Sequence, residues 1–140
     1  MKNIYEIFDE FELAKTKKEK MQVIERNLTK TLVTVLQLTF DPNIKWKVND
    51  LPENFAPQET KPGLSRCQLS TEIRKLYMFQ QGNDTAEKLS PRKINELLIQ
   101  LLESLEPREA EVVGGIFRKD QGVQGLDYKF VKEAFPALIP

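Results

Sequence analysis

Ser90-Pro91-Arg92-Lys93-Ile94-Asn95-Glu96-Leu97-Leu98-Ile99-Gln100-Leu101-Leu102-Glu103-Ser104-Leu105 is the stretch on which the fold turns. A serine able to cap is followed by proline at the first helical position, where its missing N–H is no loss. Ile94, Leu97, Leu98, Leu101, Leu102 and Leu105 then recur three and four residues apart, the period of a helix and not of a strand. These apolar positions are too many for one face of an exposed helix, so this element is expected to be the most buried, with Leu98 and Leu101 inside.

Reading outward from that helix gives more of the same kind. Pro107 opens another helix on the stripe Val112, Val113, Ile116 and Phe117, and Asp127 caps a short last one carrying Phe130, Val131 and Ala134. Upstream, Ile4, Ile7, Phe8 and Phe11 make one apolar face. Thr16-Lys17-Lys18-Glu19 has the pattern of a capping box and starts a second helix, with Met21, Ile24 and Leu28 inward and Asn27 near its end. Leu32, Val35, Leu36 and Thr39 mark a third, stopped by Asp41-Pro42. A fourth is expected over Thr71–Gln81, with Ile73, Leu76, Tyr77 and Gln80 on its face and Gly82-Asn83-Asp84 ending it. Between the third and fourth lies a proline-rich extended segment, 42–65. Within it Ile44, Trp46 and Val48 alternate with Lys45 and Lys47 as in a short strand or arm. The reading is an all-α fold: one compact domain, 1–140, of six or seven helices.

Composition narrows the function. A chain of 140 residues, 40% hydrophobic, can bury one sizeable core. The Leu32–Phe40 run is far too short to span a membrane, and the N-terminus carries acids where a signal peptide needs an apolar core, so a cytoplasmic setting is expected. A single cysteine, Cys67, makes no internal disulfide, and that fits a reducing compartment. Histidine is absent, which removes the commonest metal ligand and the commonest general base together. No metal and no cofactor is expected. Ser and Thr lack a histidine base, Cys67 beside Arg66 reads as a lone thiol near a helix start, and no Gly-rich nucleotide loop ending in Lys-Ser/Thr exists. The carboxylate pairs Asp9/Glu10 and Glu109/Glu111 read as solvated helix faces.

Charge is segregated although it sums to zero. Residues 1–14 hold one Lys against four acids, whereas 15–30 hold six basic groups against two acids. A balanced chain with a basic patch is expected to bind phosphate modestly and with a steep dependence on salt. Lys17 and Lys20 belong to that patch, at a helix start where lysine opposes the helix dipole; a solubilising surface is the alternative. Lys45 and Lys47 flank Trp46, which serves either as an aromatic platform or as a loop anchor packed on the core. Arg118-Lys119-Asp120 leads through Gly122 and Gly125 into the last helix, a compact way to hold a phosphate. The alternative there is a helix C-terminus with basic side chains and a glycine cap, which needs no ligand.

The same turn resembles the N-terminal helical DNA-binding domain of ATP-dependent DNA ligases, particularly those of T-even-type bacteriophages. In that family a helix ending in Arg-Asp passes through a glycine turn into a last helix closed by Pro-Gly-Leu-Ile-Pro; here the close is Pro136-Ala137-Leu138-Ile139-Pro140. Lys20 with Val23-Ile24-Glu25-Arg26-Asn27 is similar to the family's second helix, and Leu32, Val35 and Leu38-Thr39-Phe40 to its third. Ile44-Lys45-Trp46-Lys47-Val48 and Leu51-Pro52 are similar to the aromatic and basic segment that follows. The path from Arg118 to the closing prolines is slightly longer than in the family, with Lys119 inserted before Asp120. The middle, 60–105, matches only as helices of suitable length.

The resemblance implies a bacteriophage-encoded, non-catalytic module that binds duplex DNA without sequence preference, through backbone phosphates. Its candidate contacts are Lys17, Lys20, Lys45, Lys47, Arg118, Lys119, Gly122, Gly125, Lys129 and Lys132. A protein partner from a replication or repair assembly is also expected. No Lys-x-Asp-Gly is present, since Lys119-Asp120-Gln121-Gly122 has its acid one place early. The adenylation nucleophile of a ligase is therefore not expected, and neither is enzyme activity. The other class is a helical protein-interaction or structural protein with the fold but not the DNA surface. Zero net charge favours it; the basic helix and the Arg118–Gly125 turn favour the first.

Overall fold

The computed structural model describes residues 3–52, 55 and 68–140. Among them the chain forms eight α-helices: α1 (Ile4–Leu13), α2 (Lys17–Arg26), α3 (Lys30–Phe40), α4 (Leu69–Glu72), α5 (Asp84–Lys88), α6 (Pro91–Glu103), α7 (Pro107–Arg118) and α8 (Tyr128–Ala134). A 3-10 segment, Ile73–Phe79, continues α4. The all-α expectation holds. Cys67 and the proline-rich segment beyond Pro52, apart from Phe55, lie outside the described residues.

Capping chemistry sets most boundaries. The hydroxyl oxygens of Thr16, Thr29 and Ser90 accept the N–H of Glu19, Leu32 and Lys93, and the Asp127 carboxylate accepts that of Phe130. Each satisfies one of the orphan donors in a helix's first turn. The Thr16 box is only half the expected one, because the Glu19 carboxylate accepts from Lys15 N–H at 3.0 Å, one residue before the cap. One more helix exists than the sequence signals: α5, five residues long, held by the Asn83 side chain accepting from Thr85 and Ala86 N–H. Asn83 reads as a stop in the sequence and acts here as a start.

The centre of the molecule is α7, not α6. Leu98 and Leu101 are 1% and 7% exposed, but α6 keeps a polar outer face, whereas α7 buries Glu109, Ala110 and Val112–Phe117. It packs against α1, α3 and α6. Two glycines let the loops beside it come close: Leu51 over one and Gln121 over the other. A Cβ on Gly114 would stand 2.8 Å from Leu51 Cγ, and one on Gly115 would overlap the Gln121 carboxamide. Phe11, Ile24, Leu32, Leu36, Leu98, Leu102, Val113 and Ile116 join the same core.

Two inward assignments change. In α2, Val23 and Ile24 are buried and Leu28 is exposed, since the helix ends at Asn27 before Leu28 can turn inward. In the fourth predicted helix, Ile73, Leu76 and Phe79 are the buried positions; Tyr77 is 47% exposed and Gln80 leaves the helix altogether. A spacing of three matches the three residues per turn of a 3-10 helix, in place of the 3.6 used to read the sequence. Gln80 instead forms an isolated antiparallel bridge with Trp46, flanked by Lys47 N–H to Phe79 O and Gln81 N–H to Lys45 O, both 2.8 Å. The 44–48 arm is thereby tied down. Trp46 is 7% exposed and packs edge-on against Phe117 at 5.3 Å, so it is a core anchor and not a platform.

Candidate nucleic-acid interface

Four of the ten predicted contacts meet in one place. Lys17, Lys20, Gly125 and Lys129 line a shallow cleft of about 330 Å³ with Asp127, Phe130 and Glu133, where the start of α2 faces α8. The chain reaches this geometry because Phe11 of α1 stacks edge-on against Phe130 of α8 at 5.2 Å. Gly125 turns at φ +86°, a left-handed conformation that favours glycine, before Asp127 caps α8. Lys17 pairs with Glu133, and that ammonium, with Lys129 adding a smaller effect, holds the Glu133 carboxyl below its ordinary range. Lys129 is exposed and makes no hydrogen bond or ion pair among the described residues, and on α2 Lys18 is likewise exposed. With three ammonium groups against two carboxylates the cleft is mildly positive.

Lys20 is less free than its position suggests. Its Nζ donates to the Phe11 carbonyl at 2.9 Å and lies 4.6 Å above the Phe11 ring centroid, so it serves the C-terminal end of α1.

The other candidates are dispersed, and most are occupied by the protein itself. Lys119 is the clearest correction. It takes φ +61° as the left-handed residue closing α7, with Asp120 N–H bonding Gly115 O at 3.0 Å and Lys119 N–H bonding Ile116 O at 3.2 Å, the Schellman arrangement that usually carries glycine. Its Nζ donates to the carbonyls of Leu38, Asp41 and Ile44 at 3.0, 2.8 and 3.0 Å. Its three protons are used on the C-terminal end of α3 and on the loop that follows it, and burial pushes the ammonium below its ordinary range. No proton is left for a phosphate.

Lys47 and Lys132 behave alike. Lys47 Nζ donates to Ala86 O at 3.1 Å and sits 3.6 Å from Glu87. Lys132 Nζ donates to Ile139 O at 3.1 Å and weakly to Pro136 O at 3.4 Å, folding the tail back on α8. Lys45 alone in that arm is exposed, and its side chain makes no hydrogen bond among the described residues.

Arg118 and Gly122 line a different cleft, of about 240 Å³, together with Asp9, Glu12, Arg108 and Glu111. Arg118 donates to Asp50 Oδ1 at 2.7 Å and lies 3.6 Å from Glu111. Arg108 makes two bonds to Asp9, at 2.7 and 2.6 Å. Carboxylates outnumber guanidiniums here, so the field does not draw a phosphate. The Gly122 amide, the donor a phosphate turn needs, is taken by Asp120 Oδ1 at 2.9 Å. The Arg118–Gly122 turn is therefore a closed structural unit, the ligand-free alternative of the sequence reading with lysine in place of glycine at the cap.

One carboxylate is also reassigned. Glu109 is buried, not solvated: it accepts the Leu69 N–H at 3.1 Å, and burial, opposed by that bond and reinforced by the charge of Glu106, raises its carboxyl above the usual range. Glu106 is itself buried and accepts from Tyr5 Oη at 2.9 Å. Neither partner is near in sequence, so no local signal marks them. Among the described residues no cluster of three or more His, Cys, Asp or Glu is placed to hold a metal ion, and no helix is long and apolar enough to cross a membrane.

The architecture has counterparts among solved structures. Two solved structures named Pmar-Lig_PreS3 and Pmar-Lig_Pre superpose on 96% of this chain with TM-scores of 0.70 and 0.68, each at 18% identity. The fold is thus similar to that of a ligase-related helical domain. The chain spans about a third of those proteins, 31% and 30% of their lengths. Residues 7–124 match the family of unknown function DUF6433, and the chain belongs to that family. Among curated proteins nothing matches.

Proposed function

We propose that this protein is a non-catalytic module that binds the phosphate backbone of duplex DNA without sequence preference, through the cleft between α2 and α8. The observation that carries this is the convergence of Lys17, Lys20, Gly125 and Lys129, with Lys18 open beside them, on a fold similar to a ligase-related domain. The footprint is smaller than the sequence suggests. Lys119, Gly122 and Lys132 bond within the protein, and Arg118 is neutralised by Asp50 and Glu111. Contacts here would be to phosphate, with no base readout. A bacteriophage origin and a place in the host cytoplasm accompany this reading as part of the same proposal.

The test is fluorescence anisotropy with two unrelated labelled duplexes. Three phosphate contacts give a slope of about −2.7 in log affinity against log salt, or about a 40-fold loss between about 50 and about 200 mM salt. K17A/K129A should flatten the slope by up to about 1.8 and weaken both duplexes equally. With ATP, magnesium and a nicked duplex, no protein–AMP adduct and no sealed product should form; an AMP-modified lysine in the mass spectrum would contradict the non-catalytic assignment.

A second reading, a protein-interaction module, is favoured by the dispersal of Lys45, Lys47, Arg118 and Lys132 away from the α2–α8 cleft and by the zero net charge. Absence of duplex binding by the folded wild type at low salt would leave that reading ahead.

A further inference from the structure

The largest of the clefts described lies on another face. About 390 Å³ in volume, it is bounded by Lys30, Thr31 and Thr34 of α3 and by Ser70, Thr71, Ile73 and Arg74 of α4 and its 3-10 continuation. Its basic groups differ from most of those described above. Lys20, Lys47, Lys119 and Lys132 spend their protons on backbone carbonyls, and Arg108 and Arg118 on carboxylates. Among the described residues Lys30 and Arg74 do neither, and no carboxylate lines the cleft. Among its hydroxyls, Thr34 donates to Lys30 O at 2.8 Å, while those of Thr31, Ser70 and Thr71 make no hydrogen bond among the described residues. In the adjoining cleft, which shares Thr31 and Ser70, the Glu109 carboxylate is turned onto the Leu69 N–H.

We propose that this cleft is a binding site for a phosphate group, carried either as free phosphate or as a phosphodiester. A guanidinium fork, an ammonium point charge and three hydroxyl donors supply what a tetrahedral oxyanion accepts, and no described residue lining the site repels it. Ile73, which is buried, supplies an apolar part of the lining. The site is separate from the α2–α8 cleft, and its failure would leave that reading standing.

The experiment is a two-dimensional ¹H–¹⁵N NMR titration of the full chain with inorganic phosphate against chloride at constant ionic strength. The expected result is a saturable shift of the Lys30, Thr31, Ser70 and Thr71 amides with phosphate and not with chloride. K30A/R74A should bind at least about tenfold more weakly, with its remaining spectrum unchanged, and R74K should fall between the two. A short duplex that displaces phosphate from these amides identifies a phosphodiester as the source; displacement by none identifies free phosphate. Shifts equal in chloride, or retained in K30A/R74A, would overturn the site.

Discussion

The Lys119 ammonium donates to the Leu38 carbonyl across 3.0 Å, joining the end of α7 to the end of α3. One of the predicted phosphate contacts is thereby a clamp between two helices. Two roles meet in it: its backbone closes α7 in a left-handed conformation, and its side chain closes α3. Removing the side chain strands three carbonyls that share one cation. We expect K119A to destabilise the fold by about 2–3 kcal/mol, in the range of hydrogen bonds to charged groups. K119G should lose less than K119A, because glycine takes φ +61° without penalty, a difference of roughly 1 kcal/mol. Urea denaturation of the three proteins gives the order directly; equal midpoints for wild type and K119A would refute the clamp.

Gly115 underlies a second junction. Gln121 passes over it and donates from Nε2 to Thr39 Oγ1 at 3.1 Å and to Val112 O at 3.0 Å, so α3 and α7 meet across a single carboxamide. A methyl at Gly115 would evict that group. G115A should therefore destabilise by about 1–3 kcal/mol, despite alanine's better helix propensity. A calorimetric melting temperature at or above that of wild type would show that Gln121 moves aside freely.

Burial raises the Glu109 carboxyl, and the sign of its effect on stability follows. The folded state holds the proton to higher pH than the unfolded state does. Below the ordinary glutamate range both states are protonated and the residue carries no penalty. As pH rises through and beyond that range, the folded state must accommodate a buried charge and stability falls. E109Q keeps an oxygen to accept from Leu69 N–H and removes the charge. It should be more stable than wild type at neutral pH and indistinguishable near pH 4, as read by chemical denaturation at both. The same stability difference at the two pH values would exclude the linkage.

Much of this was legible in the sequence, for reasons that are local. Thr16, Ser90, Asp127 and Asn27 mark helix ends because a cap acts within three or four residues of itself. The face of α1 was equally plain, since one period runs through it. The 73–79 segment was misread because its buried residues step by three, and two turns do not announce which period applies. The site was harder still. Lys119 lies 75 to 81 residues from the carbonyls it meets, and Arg118 lies 68 from Asp50. A basic residue looks the same in one dimension whether its partner is a phosphate or a distant helix end.

Trp46 gives an optical test of the arm. Packed against Phe117 and bridged to Gln80, it should emit at the short wavelengths of a buried indole and resist acrylamide. Neither single-stranded nor duplex DNA should quench it, since no ring face is offered for stacking. W46A should destabilise by about 3–5 kcal/mol, the usual loss for a large buried aromatic. Strong quenching by single strands would restore the platform role.

Arg118 is the residue by which the α2–α8 cleft and the glycine turn can be told apart as phosphate-binding surfaces. Its guanidinium is engaged by Asp50 at 2.7 Å and approached by Glu111, and the Asp50 carboxyl is held below its ordinary range by the Leu51 N–H first and by Arg118 second. A phosphate arriving there would have to displace a carboxylate already seated, within a cleft where acids are in excess. R118A should therefore leave duplex affinity within about twofold and the salt slope unchanged, because no counterion-releasing contact is lost. Its effect on stability should be under about 1 kcal/mol, as for a solvent-exposed ion pair. K17A/K129A, measured beside it, should lose affinity and slope together. If R118A instead lowered the slope by about one unit while K17A/K129A did not, the phosphate-binding surface would be the glycine turn and the α2–α8 cleft would be the bystander.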